Sequence, residues 1–162
     1  MRRDLRWFLA GLLLFQFWAP GGGNARAVEG KPHSGTGLTL RLVSDAAVVA
    51  PGQRVTVGLF IEHEPGYHTY WKSPGIVGMA TSMRWDLPEG AGASEIRWPG
   101  PMQTKMAQVT AWGYEQDTCL LTEIEVPKNF QEKVFRVGVE VAWMCCARSC
   151  HPGFEILEIT FP

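Results

Sequence analysis

The run Arg54 to Glu62, RVTVGLFIE, sets Val55, Val57, Leu59 and Ile61 on one side of an extended chain and Thr56, Gly58 and Phe60 on the other. That period of two is the mark of a strand. The same alternation runs from Val134 to Met144, with Phe135, Val137, Val139, Val141 and Trp143 in phase, and resumes from Phe154 to Phe161 with Leu157, Ile159 and Phe161. Shorter apolar or alternating runs cover Leu38 to Val43, Tyr67 to Trp71, Thr81 to Asp86, Ser94 to Trp98, Val109 to Tyr114 and Cys119 to Val126. Turn-forming residues stand between them: Pro51-Gly52, Pro65-Gly66, Pro74-Gly75, Pro88-Glu89-Gly90, Pro99-Gly100-Pro101, Pro127-Lys128-Asn129 and Pro152-Gly153.

No segment after Ala27 sustains a helical apolar period. About eight or nine short strands at near-regular spacing predict an all-β fold, an immunoglobulin-like antiparallel β-sandwich, rather than an α/β enzyme. Trp71, Trp85, Trp98, Trp112 and Trp143 supply bulk for one core, and neither an internal repeat nor a dividing linker is visible.

The first residues follow a different pattern. Arg2, Arg3 and Arg6 precede an apolar run from Trp7 to Trp18 and a small-residue site at Ala25-Arg26-Ala27, the layout of a secretory signal peptide. The run is shorter than the roughly 20 residues of a spanning helix, which leaves an uncleaved anchor as the alternative. The expected organisation is therefore a signal peptide over residues 1–27, a flexible N-terminus over 28–37 and one domain over 38–162. Of 15 basic and 16 acidic residues, Arg2, Arg3, Arg6 and Arg26 but only Asp4 lie in the leader, so the exported part is acidic. With its lysines and arginines scattered singly, nucleic acid is not an expected partner. The exported part holds no long apolar segment and is expected to be a soluble periplasmic domain.

Export changes the reading of the four cysteines, because thiols outside the cytoplasm meet conditions in which disulfides persist. Cys119, Cys145, Cys146 and Cys150 allow three full pairings, among which sequence does not choose. A bond between the neighbours Cys145 and Cys146 is unattractive, since adjacent Cα atoms lie about 3.8 Å apart and disulfides usually span about 4.4 to 6.8 Å. If Ala147-Arg148-Ser149 forms a hairpin loop, Cys146 and Cys150 become directly opposed, at a Cα separation of about 4.5 to 5.5 Å. A bond there closes a tiny loop and so stabilises little. Strained or exposed disulfides are the exchangeable ones, which favours a working redox couple over a structural staple. Exchange needs a thiolate, and a strand-end thiol lacks the helix dipole that lowers a pKa elsewhere. Arg148 is the only fixed cation close in sequence.

A metal reading competes: Cys145, Cys146, Cys150 and His151 are four soft or borderline ligands suited to copper(I) or zinc. Their spacing is poor, because Cys145 and Cys146 point to opposite faces of a continuing strand. His33, His63 and His68 show no paired spacing and read as surface or packed histidines. No cofactor is expected.

Several stretches, in order, resemble a known family: Pro65-Gly66-Tyr67-His68-Thr69-Tyr70-Trp71-Lys72-Ser73-Pro74-Gly75, Thr81 to Gly90, Ile96-Arg97-Trp98-Pro99, Gly113-Tyr114-Glu115 and Trp143 to Pro152. Together they are similar to the N-terminal periplasmic domain of the DsbD thiol:disulfide interchange proteins, nearest the branch of the copper-sensitivity suppressor ScsB. The resemblance implies an immunoglobulin-like fold. It also implies a thiol:disulfide oxidoreductase component whose cysteine pair takes electrons from a membrane-embedded DsbD/ScsB-type donor. Periplasmic thioredoxin-fold disulfide proteins receive them, isomerases and cytochrome c maturation proteins included.

By position, Cys146 and Cys150 match the pair, with Cys150 expected to react first with the partner. Trp143, Arg148, His151 and Pro152 accompany it, and Tyr67 and Tyr70 belong to the first matching stretch. Well-known members place five residues between the cysteines and shield them with an aromatic cap loop. Here three residues intervene, and the cap corresponds to Met102 to Tyr114, with Trp112 or Tyr114 over the sulfurs. Cys119 and Cys145 are additional, as a second disulfide or as free thiols. A non-enzymatic immunoglobulin-like binding domain with a structural disulfide and a periplasmic copper-binding protein remain the alternatives.

Overall fold

Alternating runs close on one another face to face, and the strand order shows how. The computed structural model describes residues 28–162; the signal-peptide reading of residues 1–27 lies outside them. Eleven strands follow in order: β1 (His33–Gly35), β2 (Leu38–Ser44), β3 (Arg54–His63), β4 (Thr69–Tyr70), β5 (Ser82–Asp86), β6 (Gly92–Ala93), β7 (Met102–Met106), β8 (Val109–Tyr114), β9 (Thr118–Glu125), β10 (Phe135–Cys146) and β11 (Cys150–Phe161). One sheet has the order β1-β2-β3-β9-β6, a second β11-β10-β5 and a third β4-β8-β7, and every pairing within them is antiparallel. The fold is all-β and immunoglobulin-like, as the alternation predicts.

The first two sheets enclose the main core. Leu40, Leu42, Val57, Leu59 and Ile124 from one side meet Val137, Val139, Val141, Ile159 and Phe161 from the other, each almost wholly buried. Burying a side chain of this size stabilises by about 1.5–3 kcal/mol, so the inward positions of β3, β10 and β11 set the register. A slip by one residue would turn that whole set outward. On the outer face of the second sheet, Arg136 bonds Asp86 at 2.6 Å and Glu158 at 3.0 Å, and Arg84 pairs with Glu140.

Two close approaches depend on glycine. A Cβ at Gly153 would lie 2.2 Å from the Trp143 ring, and one at Gly37, where φ is +76°, would lie 2.1 Å from Tyr67. Trp143 and Tyr67 thus lie flat against bare backbone at the end of the sandwich that carries the cysteines.

Three expectations change. Residues 33–35 pair with β2 and Glu29 bridges Val43, so sheet pairing begins upstream of the expected boundary at Leu38. Ser94 to Trp98 is not a strand: Ser94 donates to the Glu123 carbonyl and Arg97 exchanges hydrogen bonds with Leu121, but no continuous ladder joins them. Met102–Met106 is a strand with no apolar alternation in its sequence, MQTKM. These segments lie at sheet edges or in short hairpins, where backbone bonding decides and side-chain pattern carries little signal.

Candidate functional site

β10 runs to its end with alternation intact, and that decides where its last two residues point. Cys145 continues the inward series into the main core, while Cys146, also 0 % exposed, faces the other way into a second, smaller apolar cluster. That cluster is built by Tyr70 of β4 and Ala111 of β8, with Val77, Met106 and Met144 partly buried against it. β4 is fastened there through the main chain: His68 N–H donates to the Cys146 carbonyl and Cys146 N–H to the His68 carbonyl, both at 2.9 Å.

The bend Ala147-Arg148-Ser149, closed by Ala147 N–H donating to the Ser149 carbonyl at 3.0 Å, sets Cys150 directly opposite Cys146. The two form a disulfide with Cα atoms 4.1 Å apart. Its halves differ in access, since Cys146 is buried and Cys150 is exposed. The Cys150 sulfur has two near neighbours, Met106 Sδ at 3.8 Å and Tyr70 Oη at 4.0 Å, and Tyr70 Oη lies 3.2 Å from His68 Nε2.

Burial sets the ionisation of the groups nearby. Desolvation pushes the Tyr70 phenol up, with the neighbouring Cys145 adding to it. It pulls the His68 imidazole below its ordinary value, against an opposing attraction from Glu115, so His68 is neutral near pH 7. The Cys145 thiol is pushed up to about 11 by desolvation first and by Glu64 second. Cys119 is raised by the same desolvation.

The supporting residues expected from the sequence divide. Tyr70 is in the site. Tyr67 and His151 flank the bend, their rings 6.4 Å apart, and His151 Nε2 lies 2.9 Å from Ser149 Oγ. Pro152 pairs with Met144 two register positions from the disulfide. Arg148 is exposed on the bend and forms no ion pair among the described residues. Trp143 is buried on the core side, so it supports the strand rather than the sulfurs.

The β7–β8 hairpin does cover the pair, but by a different residue from those expected. Tyr114 is in the main core and donates to the Pro99 carbonyl at 2.9 Å, and Trp112 is 40 % exposed. Met106, at the hairpin tip beside Ala107 with its positive φ of 54°, reaches Cys150 instead. On this strand Ala111 points to the disulfide cluster, so Trp112, next in sequence, points away. No sequence signal marked Met106, because the register of a short polar hairpin cannot be read from its residues.

The metal set does not converge. Cys145 lies across the strand from Cys146, and no group of three or more His, Cys, Asp or Glu side chains is placed to hold an ion among the described residues. Cys119 and Cys145 are free thiols rather than a second disulfide. Cys119 sits on β9 against Gly58 and Phe60, away from the core into which Cys145 points. Of the remaining histidines, His33 pairs with Glu155 at 2.7 Å and His63 bonds Gln116 and Thr69.

Comparison with known proteins bears on this arrangement. The model of the family described as "Thiol:disulfide interchange protein DsbD, N-terminal" matches residues 39–162. No curated protein matches the chain. Among solved structures, the N-terminal periplasmic domain of ScsB from Proteus mirabilis superposes with a TM-score of 0.62 at 19 % identity, over 83 % of this chain and 51 % of that one. The likeness is one of fold, and the chain spans about half the length of that structure.

Proposed function

The chain belongs to the DsbD N-terminal family of thiol:disulfide interchange proteins, and from that premise we propose that Cys146 and Cys150 are a redox couple that relays electrons in the periplasm. A membrane-embedded donor of the DsbD/ScsB type reduces the pair, and the reduced pair passes electrons to thioredoxin-fold disulfide proteins.

The observation that carries this reading is the unequal exposure of the two cysteines. An incoming thiolate reaches Cys150 and not Cys146, so the mixed disulfide forms at Cys150 and Cys146 resolves it. A bond across so short a loop contributes less entropic stabilisation than one that closes a long loop, and exposed disulfides are the labile ones. Its geometry suits exchange better than stapling.

Trapping tests the reading. Cys146→Ala in the periplasm retains the accessible sulfur and should accumulate mixed disulfides with thioredoxin-fold proteins, whereas Cys150→Ala should accumulate none. A reduction potential well below about −300 mV would instead place the bond among inert structural ones.

A further inference from the structure

Exchange from the reduced protein requires the Cys150 proton to leave, since the thiolate is the nucleophile. The usual aids are missing around this sulfur. There is no helix N-terminus among the described residues, and Arg148 is exposed on the bend. The groups over the pair are apolar: Ala111, Val77, Met106 and Met144.

One polar path remains. Tyr70 Oη is 4.0 Å from the Cys150 sulfur and 3.2 Å from His68 Nε2, and both side chains are nearly sealed, Tyr70 at 1 % and His68 at 3 % exposure. The two rings meet edge to face at 5.1 Å. His68 is fixed by its paired main-chain bonds to Cys146, the other half of the couple.

We propose that His68, acting through the Tyr70 hydroxyl, accepts the Cys150 proton when the reduced pair attacks a partner's disulfide. This deepens the exchange reading and rests on it. The Cys150 S–H donates to Tyr70 Oη while the Tyr70 O–H donates to His68 Nε2. One proton passes along each bond, leaving a Cys150 thiolate, a neutral tyrosine and a His68 imidazolium. The thiolate attacks one sulfur of the partner's disulfide, a bond forms between them, and the partner's other sulfur departs as a thiolate. That thiolate takes up a proton as His68 returns one through Tyr70. Cys146 then attacks the Cys150 sulfur, re-forming the internal bond and releasing the partner's second sulfur, which takes the Cys146 proton. Two electrons and two protons pass to the partner. Tyr70 touches the reacting sulfur; His68 is a positioning residue that works through it.

The titratable groups facing this path are Glu115 and His63 on the His68 side and the Cys145 thiol on the Tyr70 side. Burial leaves His68 unprotonated before exchange, and the charge of Glu115 offsets part of the desolvation that disfavours its imidazolium. A purely structural role would also explain a buried Tyr–His hydrogen bond, so the test must separate proton transfer from packing.

The reduced full chain is alkylated with iodoacetamide across a pH series, and modification of Cys150 is read by peptide mass for wild type, Tyr70→Phe and His68→Gln. Glutamine still accepts a hydrogen bond from Tyr70 but does not titrate in this range. Both variants should modify Cys150 about tenfold more slowly at pH 7, with an apparent pKa about one unit higher. Profiles that superpose on wild type, or a wild-type rate in His68→Gln, would overturn the proposal. A second measurement needs no variant: the His68 imidazole resonances should titrate differently in the oxidised and reduced protein, and identical curves would also overturn it. Because iodoacetamide needs no partner protein, these outcomes stand apart from those of the trapping experiment.

Discussion

Cys145 and Cys146 are neighbours, are both wholly buried and have different chemistry. Cys145 faces a core of branched aliphatic and aromatic residues, and its thiol is held protonated by desolvation. Cys146 faces a smaller cluster at the rim of the sandwich, where the strand bends back and brings an exposed sulfur within bonding distance. The pleat alone separates an inert thiol from half of a candidate redox couple. Burial does not decide reactivity here; the side of the strand does.

The largest effect expected from breaking this contrast is on exchange. Cys150→Ser should abolish the disulfide and with it the dithiothreitol-dependent change in tryptophan fluorescence, since exchange needs a disulfide sulfur to attack. Cys145→Ala should leave that change intact and cost about 1 kcal/mol in urea unfolding, the usual price of a small buried truncation. If the two variants lose exchange equally, the contrast is wrong.

Next in size, Gly153→Ala should destabilise the oxidised protein by about 1–3 kcal/mol through overpacking against Trp143, measured as a lowered urea midpoint. Reduction of the pair in the wild type should lower stability by about 2 kcal/mol, the chain-entropy value for so short a loop.

Met106→Ala should produce a smaller change of opposite kind. It removes the side chain 3.8 Å from the Cys150 sulfur, so dithiothreitol should reduce the disulfide about two- to fivefold faster. Tyr114→Phe, on the same hairpin but in the main core, should leave that rate alone.

The same contrast is read on a separate axis in the pH dependence of stability. The folded protein keeps the Cys145 proton up to about 11, whereas the unfolded chain releases it near the ordinary value of 9.0. Between those values the native state binds more protons, so stability falls as pH rises through that window. Cys145→Ala should flatten this slope in urea midpoints measured at pH 8 and pH 10.5. Cys146, held in the disulfide, contributes nothing to it.

The strands with the strongest alternation were legible in the sequence. Arg54 to Glu62 and Val134 to Met144 are found as β3 and β10 to within two residues, because a buried face rewards every second residue. The opposition of Cys146 and Cys150 across a short bend was legible for the same reason. The cap residue was not: expectation favoured the aromatic Trp112 or Tyr114, and strand register gave the position to Met106. His68 also escaped notice as a site residue. Its place beside Tyr70 depends on β4 crossing the end of β10, far away in sequence.

By itself, the sequence determined the sandwich, the inward faces of its long strands and the pair of cysteines at the bend, all of which follow from a local period of two. Only the tertiary structure decided which sulfur meets solvent, which side chain lies over it and which buried hydroxyl and imidazole stand next to it. Those relations are set by the docking of a small sheet on the rim of a larger one, and no local pattern encodes how two separately formed surfaces will align.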